Sequence, residues 1–265
     1  MPPGPQTLPS AQVLAIRSGR LACSVSGSGQ PTLVLFSGAG VVLEGWHPLY
    51  PQIEQLGTVF AWNRFGLQGS DPPPGRQTGT AVVGTLRELL RAAHLAPPYV
   101  LVAHSLGGLY ANLFARLHPQ EVAAVLFIEA THPEDHELLK KHEEQLVHAL
   151  EKVTELPQLL FRPNVQAELA CAEETVRQIA AAGDFPPVPL RVLTGGLTPR
   201  GAMLSPAAIA AKRAHQQELA RLSPLGEQVI AHESGHFPQL TQPQVVLEVL
   251  RELVEAVRVG AGAGL

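Results

Sequence analysis

Short apolar runs recur along the chain at Thr32–Phe36, Val59–Trp62, Tyr99–Ala103, Val122–Ile128 and Leu190–Thr194, with Glu227–Ala231 as the last of the series. Most show no alternation with polar residues, so they predict strands buried on both faces. Between them the period changes. Val82, Val83, Leu86, Leu89, Leu90 and Ala93 recur at helical spacing and predict an amphipathic helix over 80–94. A second helix follows Ser105 and ends near His118-Pro119, a third spans Ser205–Leu222, and a last one carries Val245, Leu247, Val249, Leu250, Leu253 and Val254. Thr241 and Gln244 have the spacing of a capping box for that last helix. Leu14–Val25 reads as two short strands turning at Ser18-Gly19. Strands that alternate with helices and are apolar on both faces imply an α/β fold. Its sheet is mostly parallel and twisted, with helices on both faces.

The alternation breaks over residues 132–187. Leu138–Val153 and Ala167–Ala182 have helical patterns, with Pro157 and Pro163 between them, and no strand is evident there. This stretch reads as a helical cap inserted into a core domain formed by 1–131 and 188–265.

Composition narrows the class. A chain of 265 residues is long enough for one large core. Hydrophobic content of 45% against 16% charged residues excludes a disordered chain. The net charge of −4 offers no attraction to nucleic acid or anionic membranes. No apolar run reaches the ~18 residues that span a bilayer. The start, Met1-Pro-Pro-Gly-Pro, has neither the basic nor the apolar part of a secretory signal, so a soluble cytoplasmic protein is expected. Cys23 and Cys171 give no disulfide framework beyond one conceivable bridge. None of this fixes an oligomeric state.

The chemistry concentrates at the ends of the predicted strands, where open α/β sheets gather active residues. Val100-Leu101-Val102-Ala103-His104-Ser105-Leu106-Gly107-Gly108 is a strand feeding a tight turn into a helix, with a hydroxyl at its apex. The turn puts Ser105 outside the sheet, and the Leu106 N–H points the same way at a helix N-terminus. Ala103 stands where the glycine-x-serine-x-glycine form of this turn has its first glycine.

A serine hydroxyl needs a base. Among eleven histidines, His236 fits best, because Ser234-Gly235-His236-Phe237-Pro238 follows the last strand. His104 points away from its neighbour and is expected to pack. A carboxylate should orient the base. Gly195-Gly196-Leu197-Thr198-Pro199-Arg200-Gly201, after Leu190–Thr194, contains no acid, whereas Glu129 directly follows Val122–Ile128. Glu129 is therefore the expected acid and Asp135 the alternative. The loop Ser37-Gly38-Ala39-Gly40 after Thr32–Phe36 allows close backbone approach, and the Ala39 N–H is the expected second oxyanion donor beside Leu106. His132, His136, His142 and His148 lie among acidic residues, but their spacing matches no metal-ligand pattern; a solvated charged helix is expected, with no metal and no cofactor.

Over roughly residues 14–258 these motifs resemble the α/β-hydrolase superfamily, in its serine-hydrolase, esterase-like branch with a helical cap. Val100–Gly108 resembles the nucleophile elbow and Ser234–Pro238 the histidine loop. Phe36–Gly40 sits where the family has its His-Gly oxyanion motif, with Ser37 in place of the histidine. Arg64-Phe65-Gly66 with Gly69-Ser70-Asp71 resembles a family loop stretched by one residue, and a structural role is expected for it. The resemblance implies carboxylic-ester hydrolysis of a small molecule through an acyl-enzyme, using Ser105, His236 and Glu129. Thioester, amide or carbon–carbon hydrolysis, acyl transfer, perhydrolysis and low-turnover ligand binding are the alternatives on this scaffold. Serine at the elbow argues against the aspartate chemistry of related dehalogenases and epoxide hydrolases.

Overall fold

The computed structural model describes residues 10–50, 52–135, 165–197 and 205–263, with side chains through 260. Eight strands form its sheet: β1 Gln12–Ile16, β2 Gly19–Ser26, β3 Thr32–Phe36, β4 Thr58–Trp62, β5 Tyr99–His104, β6 Val122–Ile128, β7 Leu190–Gly195 and β8 Gly226–Ala231. Their order is β1-β2-β4-β3-β5-β6-β7-β8. The β1–β2 and β2–β4 pairs are antiparallel and every other pair is parallel. The mostly parallel sheet is the one the strand pattern predicts, and its arrangement is the α/β-hydrolase fold that the motif resemblance implies.

The unbroken apolar runs have a direct cause. Val34 and Phe36 of β3, Leu101 and Ala103 of β5, and Val125 and Phe127 of β6 join a core on one face of the sheet. Their neighbours Leu33, Leu35, Val100, Val102, Leu126 and Ile128 join a core on the other. Each Val, Leu, Ile or Phe side chain buried this way contributes about 1.5–3 kcal/mol, so a polar residue on either face would be costly. The first core is closed by α1 (Gly79–Ala92) and α2 (Gly107–Leu117). The second is closed by the 3-10 segment Leu43–Leu49 and by the terminal helix.

The described end of the expected cap holds two helices, α3 (Val165–Ala170) and α4 (Ala172–Ala181), which break at Cys171 where a single helix was expected. Leu169, Ala172 and Ile179 belong to the same core as Leu109, Leu113 and Phe114 of α2, so this part packs on the body. The expected helix Leu138–Val153, with His136, His142 and His148, lies outside the described residues. Cys23 and Cys171 are both free and buried, so the conceivable bridge is not made.

α5 (Pro206–Ala220) starts at Ser205, whose hydroxyl accepts from the Ala208 N–H at 3.2 Å. The last helix is split into α6 (Pro238–Thr241) and α7 (Pro243–Ala263). The expected capping box is not formed, because Thr241 Oγ1 donates to the Phe237 carbonyl at 3.0 Å and lies 2.5 Å from Ser234 Oγ. Among the described residues no helix is long and apolar enough to cross a membrane.

Candidate active site

The register of the parallel strands brings three loops to one rim. Phe36 pairs with Ala103, and His104 with Ile128, so Ser37, Ser105 and Glu129 leave neighbouring strands at the same level. Ser105 has φ 52° and Glu129 has φ 45°, both in the left-handed region that side-chain-bearing residues rarely occupy. At Ser105 this strain follows from the sharp strand-to-helix turn. The turn closes because position 107 lacks a side chain: a Cβ on Gly107 would lie 2.3 Å from the Phe36 carbonyl oxygen. The Ser105 carbonyl accepts from Gly108 N–H at 2.9 Å and from Thr131 N–H at 3.0 Å, which ties the elbow to the segment after β6.

Ser105 Oγ lies 3.0 Å from His236 Nε2, and His236 Nδ1 lies 3.2 Å from Glu129 Oε2. A buried hydroxyl, an imidazole and a buried carboxylate thus form one hydrogen-bonded chain from residues 131 and 107 positions apart. Burial alone would raise the Glu129 carboxyl. Lys212 and His236 beside it outweigh that and bring it down to about 2, so it is ionised at neutral pH. Burial lowers His236 below the ordinary imidazole range; Glu129 opposes that shift and Lys212 adds to it. A neutral imidazole facing a hydroxyl, backed by a carboxylate, can accept the hydroxyl proton.

Asp135, the alternative acid, is elsewhere. It is buried with Oδ1 2.6 Å from His215 Nδ1. The end of β7 shows why no acid stands there. A Cβ on Gly195 would lie 2.2 Å from the Gly235 carbonyl oxygen, and one on Gly196 would lie 2.8 Å from His232 Cα. The histidine loop rests directly on this bare backbone. The Gly195 N–H donates to Glu129 Oε1 at 2.7 Å, so β7 supplies a donor to the acid in place of a carboxylate.

On the other side, the Ser37–Gly40 loop is pressed against the elbow. A Cβ on Gly38 would lie 3.2 Å from Ser105 Cβ and 3.1 Å from His104 Nδ1. Ala39, the next residue, is buried, as is Leu106. Ser37 Oγ accepts from Trp46 Nε1 at 2.9 Å. Arg64 donates to the Ser37 carbonyl at 2.9 Å and to the Gly38 carbonyl at 2.7 Å. The Gly40 N–H donates to Glu168 Oε2 at 2.8 Å, and Arg64 and Glu168 form a buried ion pair. The loop containing Arg64 therefore does more than close a turn: it holds the two carbonyls that precede the expected oxyanion amide. Its arginine and Gly66 stand out in the sequence, but Glu168, 104 positions away, gives no local sign of pairing with it.

His104 packs as expected. Its Nε2 lies 2.8 Å from the His236 carbonyl oxygen, and burial brings it down to about 3, so it stays neutral and steadies the histidine loop. Lys212 is the residue the sequence reading missed, and it lies 2.6 Å from Glu129 Oε2. Of the clustered histidines, only His132 is described. With Glu134 and His215 it brings three ligand-type atoms within 4.8 Å of one another. The His132 and His215 rings are stacked, with centroids 4.6 Å apart. His215 is held there between Asp135 and Glu134, at 2.6 and 3.3 Å.

Comparison with known proteins agrees with this fold. Among curated relatives, the uncharacterized protein YqjL of Bacillus subtilis is 30% identical over 103 residues, 39% of this chain and 41% of YqjL. The chain thus spans less than half the length of that relative. Among solved structures, a thermophilic esterase from Thermogutta terrifontis superposes with a TM-score of 0.69 at 20% identity, covering 94% of this chain and 99% of the esterase. The enol-lactonase from Burkholderia xenovorans LB400 superposes with a TM-score of 0.69 at 18% identity, covering 92% and 100%. The epoxide hydrolase CorEH does so with a TM-score of 0.70 at 16% identity, covering 94% and 99%. A family profile described as the alpha/beta hydrolase fold matches residues 31–170, more than half the sequence, and the chain belongs to that family.

Proposed function

We propose that this protein is a serine hydrolase that cleaves carboxylic esters of small molecules through an acyl-enzyme. The observation that carries the reading is the 3.0 Å contact between Ser105 Oγ and His236 Nε2, with Glu129 behind the imidazole. Ser105 Oγ attacks the ester carbonyl carbon and its proton passes to His236 Nε2. Glu129 stabilises the imidazolium that results. The tetrahedral oxyanion accepts from the Ala39 and Leu106 N–H groups, which stand at the two loops that meet at the hydroxyl. Collapse expels the alcohol, which takes the proton from His236. Water then attacks the acyl carbon as His236 accepts its proton; the ester bond to Ser105 Oγ breaks, His236 returns that proton to Ser105 Oγ, and the acyl group leaves as the acid. Every proton is moved by His236, so the reading calls for no metal or cofactor.

The insertion expected over 132–187 would line the acyl or the alcohol pocket in this reading. An esterase and a lactonase among the solved structures of the same fold are consistent with ester chemistry. CorEH shares the fold too, but a serine hydroxyl backed by a base is suited to acyl transfer.

The test is labelling with a fluorophosphonate probe together with hydrolysis of short p-nitrophenyl esters. Wild-type protein should be labelled at Ser105 and turn the esters over. Ser105→Ala should lose labelling, and its kcat should drop by roughly 10⁶-fold, to background. Turnover retained in Ser105→Ala would identify another nucleophile. A folded wild type that neither labels nor hydrolyses would favour ligand binding without chemistry.

A further inference from the structure

The ammonium of Lys212 shares an oxygen with the base. Its Nζ is 2.6 Å from Glu129 Oε2, the same oxygen that faces His236 Nδ1 at 3.2 Å. Glu129 is buried while Lys212 is 34% exposed, so the cation reaches in from solvent to a carboxylate that is otherwise closed off. The second carboxylate oxygen is taken by the Gly195 N–H. A glutamate on a strained backbone is thus fixed at both oxygens, one by β7 and one by α5.

The rest of α5 reinforces the hold. His215 meets Asp135 and Glu134, and Gln216 Nε2 donates to the Ala130 carbonyl at 2.7 Å. The residues one turn along from Lys212 therefore grip the segment that carries the acid. This spacing, 212, 215 and 216, is that of one helix face.

We propose that Lys212 is a positioning residue that anchors Glu129 and restrains the basicity of His236, so that the base stays neutral and active in mildly acidic solution. The proposal rests on the reading of Ser105, His236 and Glu129 as a hydrolytic set. Its physical logic is competition. A carboxylate oxygen that already accepts a full positive charge offers less to an incoming imidazolium, and the lysine charge itself repels that imidazolium. Among the described residues, the charged or titratable groups facing His236 are Glu129 from the end of β6, His104 from β5 with ring centroids 4.9 Å apart, and Lys212 from α5. Arg213 lines the same small cavity beside His236. His104 stays neutral, so Lys212 is the cation that opposes His236 protonation through the shared oxygen.

The experiment compares wild type, Lys212→Met and Lys212→Arg. Two readouts are used: the pH profile of kcat/KM on a p-nitrophenyl ester, and the titration of the His236 imidazole followed by NMR. In Lys212→Met the acid limb and the NMR midpoint should both move up, by about half to one pH unit, with kcat lowered as Glu129 loses one anchor. Lys212→Arg should restore both. A Lys212→Met protein with an unchanged midpoint, or one moved down, would overturn the proposal. The same holds for a loss of activity that Lys212→Arg does not recover. If wild type shows no hydrolysis, the hydrolytic reading fails on its own. The NMR midpoint still decides whether Lys212 governs His236.

Discussion

Glu129 carries an unusual number of constraints for one side chain. It ends β6 at positive φ, is buried, and accepts from Gly195, Lys212 and His236. Its position after β6 rather than β7 was readable because the segment after Leu190–Thr194 holds no acid. Glu129 is favoured because it directly follows the strand, but Asp135 stays an alternative, since both lie on the same short stretch. Only the fold separates them, by turning Asp135 toward His215. Glu129→Gln is expected to lower kcat by roughly 10³- to 10⁴-fold with little change in KM, because the amide cannot hold the imidazole in its reactive form. Asp135→Asn should leave kcat nearly unchanged. Steady-state kinetics on both variants decide between the two acids; a large kcat loss in Asp135→Asn alone would move the role to that residue. Lys212 was illegible for a plain reason. Nothing in a helical pattern says which lysine on an outer helix reaches inward.

Among the elements, the strands were the most legible part, since residues buried on both faces read as unbroken apolar runs. What the pattern could not give was how closely the loops at the strand ends approach one another. That is set by missing side chains. Gly195 lies against Gly235, and Gly107 against Phe36, with no room for a methyl group. Gly195→Ala should push the histidine loop away from Ser105. Misplacement of that order can cost about 10²-fold in kcat. The variant should fold, because the clash is confined to a loop at the rim. Kinetics alongside far-ultraviolet circular dichroism test this; full activity would mean that the loop yields without moving the imidazole. The single helix expected over 167–182 was a miss of another kind. The chain breaks at Cys171, between Leu169 and Ala172, which both join the core against the body.

For the molecule as a whole, several buried groups titrate with the same sign. His104 is held at about 3 in the folded state against an ordinary value of 6.5, and His236 is also lowered. An unfolded chain would bind those protons first, so folded stability is present above pH 6.5 and is lost as pH falls toward 3. Glu129, at about 2 against 4.5, contributes stability present above pH 4.5 and lost as pH falls toward 2. Denaturant midpoints measured from pH 7.5 to 3.5 should therefore decline already between 6.5 and 4.5, ahead of the loss of the Glu129 contribution. A midpoint flat across that interval would mean that these imidazoles are not buried as described.

Arg64 and Glu168 give the architecture a last property. Glu168 lies just after the stretch 136–164 and reaches the Gly40 amide beside β3, whereas the residues just before that stretch are clasped by His215 and Gln216 beside β6. The two roots of the intervening polypeptide are thus moored on opposite banks of the reactive hydroxyl, one to the amide loop and one to the carboxylate loop. A shift at either root therefore bears on Ser105, through the amide loop on one side and the carboxylate loop on the other.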